Sequence, residues 1–463
     1  MGKQLSIPIN ISTMDQLFDF VYKYKGYELK LTTLSYSKIV IDEIQMYSPD
    51  LLAYLIYGLE IIVGLGGKIA ILTATLPPFV KDLLQKNISF KQDPNGFTND
   101  MKRHNLKVLN NRINSDDIYN KYIENKNLDK GNKILVVCNT IKEAQKIYSE
   151  LKEKIKYKNE KMNVKILHSK FIRKERLEKE EDILNFGRTY DKNKNIDKQN
   201  GIWISTSIVE ASLDIDFDYL FTELQDLNSL FQRLGRCNRK GKKDSSKYNC
   251  YIYTDIDNSN LINGNKGFID KQLYELSKEA IQQCDGQISE KEKINLINAY
   301  LTTDNLRNSD YMREYREVYD FIKNISPYEF KAEECKLRDI LSQEVIPSPI
   351  YIKYLGEIKD MELELRDIEF KLKDNKLSKE DRKKIKEYKT KLLDEIKKYT
   401  VSVHPNDIRN YKRAIKNRQA TMYNNVRLSD YEYINVIECM YDESGYKKMD
   451  YKEKKNDIDN YMI

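Results

Sequence analysis

At 463 residues the chain has room for about three domains of ordinary size, each with a core of its own. No apolar run reaches the length of a bilayer span and no leader pattern opens the chain, which argues against a membrane protein and predicts a cytoplasmic one without a membrane partner. Its six cysteines form no Cys-x-x-Cys pair, which argues against a zinc cluster or a disulfide framework and for reduced thiols, and the net charge of +7 permits a nucleic-acid partner without demonstrating one.

In chain order, Lys38 to Ile41 reads as a short strand ending in Asp42-Glu43-Ile44-Gln45. Carboxylates at the carboxyl end of a parallel strand stand where α/β folds bind ligands. Ile56 to Leu65, the most apolar stretch, reads as a helix covering the sheet, and the glycines at 64, 66 and 67 read as a turn. A second strand, Lys68 to Leu72, leads into Thr73-Ala74-Thr75, whose hydroxyls can hydrogen-bond the carboxylate loop and relay its state. Lys133 to Cys138 is a third strand, followed by Asn139-Thr140 and a helix with Ile141, Ala144, Ile147, Tyr148 and Leu151 at helical spacing. Val164 to Leu167 gives another strand, ending in His168-Ser169-Lys170.

A further strand, Ile202 to Ile204, enters a polar loop with Glu210, Ser212, Asp214 and Asp216, and Tyr219 to Thr222 follows. Next comes a helix expected to carry Gln232, Arg233, Gly235, Arg236 and Arg239. Arginine forks grip phosphate oxygens bidentately and keep their charge; three arginines alone would suit a solvated helix face, but the Gln-Arg-x-Gly-Arg-x-x-Arg spacing behind a Ser-Leu-Asp-Ile-Asp loop points to a phosphate ligand. If they face a nucleoside triphosphate, Asp42 would hold magnesium, usually through water, and Glu43 would orient or deprotonate the attacking water. Strand, polar loop and helix recur throughout, which predicts an α/β fold of parallel sheets with helices on both faces.

Beyond Asp255 the patterns are mixed and helical, a connector (258–349) expected to pack on the second lobe. A helical hairpin follows. Ile358, Met361, Leu365, Ile368 and Leu372 keep a 3-4 spacing, as do Ile385, Tyr388, Leu392, Ile396 and Tyr399, with a break at Asn375 and a capping box at Ser378 and Asp381. The basic run Arg409, Lys412, Arg413, Lys416, Arg418 suits phosphate contacts and a solvated helix face equally.

Taken in order, STMDQLF (Ser12 to Phe18), VIDEIQMYSPDLLAY (Val40 to Tyr54), TATLPP (Thr73 to Pro78), VVCNTIKEAQKIYSEL, LHSKF, VEASLDIDFD and QRLGRCNRKG resemble a superfamily 2 helicase of the DExH kind. More closely, they resemble the CRISPR-associated helicase–nuclease of type I systems, over roughly the first 255 residues. The resemblance implies two RecA-like lobes, a truncated first (1–110) and a second (111–257), with a helical C-terminal accessory domain (350–463). It implies ATP and Mg2+ in the interlobe cleft, with Arg236 and Arg239 as arginine fingers and with Asp214, Gln232 and Arg233 toward the nucleotide. Thr13, with Asp15 and Gln16, would open the track for single-stranded DNA, and Asn139, Thr140, His168 and Ser169 would line it. Gln45 stands where the family has histidine and Ser207 where it has glutamine, departures that bear with Thr73 and Thr75 on coupling. The implied partners are single-stranded DNA, moved 3′ to 5′, and an RNA-guided CRISPR surveillance complex. A non-hydrolysing DNA-binding subunit and a general DExH repair helicase are the alternatives.

Two family parts are missing from the sequence. No Gly-x-x-x-x-Gly-Lys-Ser/Thr occurs, and three widely spaced histidines (His104, His168, His404) form no His-Asp pair. The expectation is a chain without nuclease activity and with little ATP turnover alone. Its phosphate loop and nuclease domain would come from an upstream extension or a separately encoded chain.

Overall fold

Lys38–Asp42 and Lys68–Leu72 alternate in burial and pair in parallel as β1 and β2, with Asp42 opposite Leu72. Their crossover is the helix Pro49–Gly64, buried on nearly every side: it packs against β2 and against the helix Asp310–Asn324. A helix this apolar all round must be covered all round. Met312, Tyr315 and Ile322 supply the second cover, so the connector packs on the core around β1 and β2 as well as on the second lobe, where its helix Glu290–Tyr300 rests on the helix Leu227–Leu234 and Ser277 accepts from the Leu227 N–H (3.0 Å). The glycine-rich run is the expected turn: Gly66 has φ +103°, and a Cβ on Gly67 would lie 2.6 Å from the Leu34 carbonyl oxygen.

The computed structural model describes residues 5, 7–89, 100–126, 128, 130–210, 213–256, 261–262, 268–331, 334, 337, 342–374 and 377–451. Contacts divide the chain into two units, one of residues 1–139 and 216–339, the other of residues 140–215 and 340–463. After β2 come β3 (His104–Leu109), β4 (Asn132–Val137), β5 (Val164–Leu167), β6 (Asn200–Ser205), β7 (Tyr219–Glu223), β8 (Cys250–Tyr253) and β9 (Gly286–Ile288). In the first unit the order is β4-β7-β8-β3-β9, parallel except for β9 on β3. β4 and β7 are buried along their whole length, as strands covered on both faces of a parallel sheet are.

In the second unit β5 and β6 pair in parallel beside the helix Ile141–Tyr157, which buries Ala144, Ile147, Tyr148 and Leu151 as their spacing predicts. The hairpin is present as Leu355–Leu372 packed on Lys379–Lys397. Ser378 caps the second helix by accepting from the Asp381 N–H (3.0 Å), while its hydroxyl donates to Asp381 Oδ2 (2.7 Å). That leaves a simple N-cap, because aspartate is one methylene shorter than the glutamate of a capping box. The predicted break at Asn375 lies outside the described residues. Around the hairpin stand β10 (Gln343–Pro347), β11 (Val401–Val403), β12 (Val426–Arg427) and β13 (Tyr433–Ile437), in the order β11-β10-β13-β12, and the ribbon β14 (Cys439–Asp442) with β15 (Gly445–Lys448). The C-terminal part is therefore mixed α and β, a correction to the helical expectation. No described helix is long and apolar enough to cross a membrane.

Candidate functional site

Asp42 ends β1 with its side chain exposed, and Glu43 follows at φ +52°, a left-handed conformation uncommon outside glycine. The Glu43 N–H donates to the Leu72 carbonyl (3.0 Å), and the chain then leaves the sheet in the 3₁₀ turn Ile44–Met46. Gln45 Nε2 donates to Glu43 Oε2, and Thr73 Oγ1 donates to Gln45 Oε1. The Thr75 N–H donates to Thr73 Oγ1 (3.3 Å), so Glu43, Gln45, Thr73 and Thr75 form one hydrogen-bonded run. Asp42 offers a single exposed carboxylate, and no group of three or more His, Cys, Asp or Glu able to hold a metal occurs among the described residues. That donor set fits Mg2+, which keeps several waters and takes much of its shell from phosphate oxygens.

The helix Leu227–Leu234 is capped by Asp226, which accepts from the Ser229 N–H (3.0 Å), and it ends at Gly235. Arg236 and Arg239 therefore lie in the loop after the helix, a correction to their expected place on it. The backbone explains why: the Phe217 N–H donates to the Arg236 carbonyl (2.8 Å) and the Asn238 N–H to the Phe217 carbonyl (2.9 Å), drawing the chain alongside residue 217. Asn238 turns it at φ +45°. Gln232 stays on the helix, half-buried.

Arg233 is a second correction. Its side chain is fully buried, with Nη1 donating to Asn139 Oδ1 (3.0 Å), Thr222 Oγ1 (3.1 Å) and the Glu223 carbonyl (2.7 Å), and Nη2 to Gln225 Oε1 (2.9 Å). A guanidinium so engaged has nothing to offer a phosphate; it ties the helix to the carboxyl ends of β4 and β7. The Asn139 amide is used in the same joint, its Nδ2 donating to the Leu224 carbonyl (2.9 Å), which corrects its assignment to a DNA track.

Sequence reasoning placed Asp216 in the polar loop without giving it a role, and missed Asp218 and Lys243. Asp216 Oδ1 accepts from the Arg239 N–H (2.9 Å), and Lys243 Nζ lies 3.1 Å from Asp216 and 3.0 Å from Asp218. Burial works against the lysine charge, but the two carboxylates outweigh it and raise its pKa. The available signal was the alternation of acids in Asp214-Ile-Asp216-Phe-Asp218, whose even spacing puts them on one face of an extended chain.

The turn after the acids and the helix before the arginine loop meet within the first unit. The turn Ile44–Met46 packs on the helix Leu227–Leu234, and Ile44 and Leu227 share one buried core with Phe231 against it. Thr13, exposed, and Asp42 line the same groove of about 1010 Å³.

The remaining candidates lie in the second unit. Thr140 caps the helix Ile141–Tyr157 by accepting from the Glu143 N–H (3.1 Å), Ser169 and Asp214 are exposed, and Ser212 lies outside the described residues. His168 is a third correction: it is fully buried and stacks on Phe171 at 4.6 Å between ring centroids. Its Nδ1 accepts from the Lys170 N–H (3.1 Å), so its Nε2–H donates to the Ser444 carbonyl (3.0 Å), and no ring nitrogen remains for a phosphate.

Burial pushes the His168 pKa down to about 4 and that of His104, in the first unit, down to about 3. Both are neutral when folded, while unfolded histidine titrates near 6.5, so acid favours the unfolded chain. Their stabilisation is complete above about pH 6.5 and should decline below it, by about 2 kcal/mol for each histidine between pH 7 and pH 5. Urea unfolding at the two pH values checks this, and His168→Gln should remove its share; a flat profile contradicts it.

Residues 130–242 match the family model described as CRISPR-associated nuclease/helicase Cas3, C-terminal. The CRISPR-associated nuclease/helicase Cas3 of Methanothermobacter thermautotrophicus is 28% identical over 298 residues, 62% of this chain and 34% of the relative. The chain is a relative of the CRISPR-associated helicases. It spans about a third of that curated relative's length. Among solved structures, the crystal structure of T. fusca Cas3-AMPPNP has a TM-score of 0.62 at 18% identity, covering 75% of this chain and 46% of that one. A chain in the structure of a CRISPR RNA-guided surveillance complex, pre-nicking, has a TM-score of 0.55 at 17% identity, covering 75% and 49%. This CRISPR-associated helicase relative thus has their α/β, RecA-like fold.

Proposed function

We infer that the chain is the helicase part of an ATP-driven, cytoplasmic translocase that moves along single-stranded DNA, 3′ to 5′, in type I CRISPR interference. One observation carries this reading: the turn that follows Asp42 and Glu43 packs on the helix that runs into the Arg236–Arg239 loop. Acid groups and guanidinium groups are thereby available to one triphosphate. Asp42 would hold Mg2+, which neutralises charge on the phosphates when bound. Glu43 would orient the attacking water, Arg236 and Arg239 would take the γ-phosphate, and Gln232 and Asp214 would contact the nucleotide. Gln45, Thr73 and Thr75 would sense hydrolysis through their hydrogen-bonded run, and Thr13, Thr140 and Ser169 are the track residues left by the corrections above. In this reading the lobes are 1–110 and 111–257, except that β3 (His104–Leu109), which pairs with β8, belongs to the second, with the connector 258–349 and the accessory part 350–463. A phosphate loop and a nuclease domain would come from sequence upstream or from a separate chain, and a surveillance complex would recruit the assembly.

The test is ATP hydrolysis by the purified chain, alone and mixed with the product of the upstream reading frame, with and without single-stranded DNA. We expect little turnover alone and DNA-stimulated turnover in the mixture. If neither preparation hydrolyses ATP, the non-hydrolysing DNA-binding subunit takes the place of the enzyme.

A further inference from the structure

Residues 237 to 239 are gripped by a polar cluster that the proposed chemistry does not use. Arg103, just before β3, donates from Nε (3.1 Å) and Nη2 (2.5 Å) to Glu290 Oε1 and from Nη1 (2.5 Å) to the Arg239 carbonyl. Its own carbonyl accepts from Asn238 Nδ2 (3.0 Å). Next to it, His104 is fully buried and hydrogen-bonds the Cys237 carbonyl through Nε2 (2.9 Å). Lys293 Nζ donates to His104 Nδ1 (2.8 Å) and to Glu290 Oε1 (2.9 Å). The ammonium can only donate, so it fixes the tautomer: Nδ1 accepts, and Nε2–H donates to Cys237. Three successive residues are thus held from this side, while Asp216 holds the Arg239 N–H from the other (2.9 Å).

Lys293 is buried and Arg103 and Glu290 are half-buried, and taking these charges from water costs energy that apolar side chains in the same space would not. What the cluster supplies instead is direction, because each of its bonds to the loop ends on main chain or on the Asn238 amide.

We propose that Arg103, braced by Glu290, is a positioning residue that sets Arg239 against the triphosphate. This rests on the reading of Arg239 given above. The guanidinium fork suits the task because it reaches a carboxylate on one side and a carbonyl on the other; lysine, a point donor, cannot span both. Displacing a reacting group by an ångström can cost about 10²-fold in rate.

The experiment uses the full chain in the ATP-hydrolysing mixture and compares Arg103→Lys, Glu290→Gln, Arg239→Ala and the double variant Arg103→Lys/Arg239→Ala. Arg103→Lys should lower kcat about 10²-fold with KM for ATP little changed, and Glu290→Gln, which keeps an acceptor, should lower it less. In the Arg239→Ala background Arg103→Lys should have little further effect, since both act through one group. Hydrogen exchange on the full chain alone should show the Arg239 amide released in Arg103→Lys. A kcat equal to wild type, or an equal further loss in the Arg239→Ala background, overturns the positioning role. Unchanged exchange overturns the strut itself, and absence of turnover in the wild-type mixture overturns the reading of the site.

Discussion

Replacing Arg239 by alanine should lower ATP turnover of the complete assembly by about 10³- to 10⁵-fold while leaving the chain folded. Two of the contacts that hold this residue run through its main chain: the N–H to Asp216 and the carbonyl to Arg103. Truncating the side chain leaves those anchors in place, so the loss falls on charge delivered to the developing transition state. Arg233 is the informative contrast. Alanine there removes a fully buried guanidinium, takes the donor from Asn139 Oδ1 and Gln225 Oε1, and leaves Thr222 Oγ1 and the Glu223 carbonyl only their bond to each other. Loss of bonds to a buried charged group costs on the order of 3 kcal/mol, so that variant should lose folded protein before it loses chemistry. Turnover measured beside thermal unfolding separates the two arginines. Turnover within tenfold of wild type in Arg239→Ala would remove it from the γ-phosphate.

These arginines also mark where the sequence ceased to be legible. β1, β2 and β5 could be read almost to the residue, because short apolar or alternating runs end abruptly in polar loops. The hairpin was legible from its 3-4 spacing, although Tyr388 points outward, 48% exposed, where the pattern places it inward. Nothing local distinguishes Arg233 from Arg236 or Arg239. The distinction is made by Asn139, 94 positions away, whose amide Arg233 holds at the end of β4. His168 presents the same difficulty: its burial depends on Ser444, 276 positions downstream. The sheet around the hairpin was missed because β11 and β12 have three and two residues, too few to show an alternation. The end of the strand that carries the acids was legible, but the helix expected to carry the arginines stops at Leu234, before Arg236 and Arg239.

The second large effect is expected at the acid. Glu43→Gln should reduce hydrolysis by about 10²- to 10⁴-fold, the range a positioned general base contributes, while nucleotide binding stays within a few-fold of wild type. The replacement is isosteric, and the supports of residue 43 come from elsewhere. Its backbone is set by the left-handed turn and by the bond to Leu72, and its side chain faces Gln45 Nε2. A glutamine can turn its own carbonyl oxygen toward that Nε2 and preserve the contact with Gln45, which Thr73 holds from behind. The loop should therefore keep its shape, and the variant should lose the negative charge and proton-accepting oxygen without losing the site. Steady-state turnover together with fluorescent-nucleotide binding in the same mixture reads both quantities. Retained turnover would take Glu43 out of the chemistry, and lost binding would mean that the turn, rather than the carboxylate, had been disturbed.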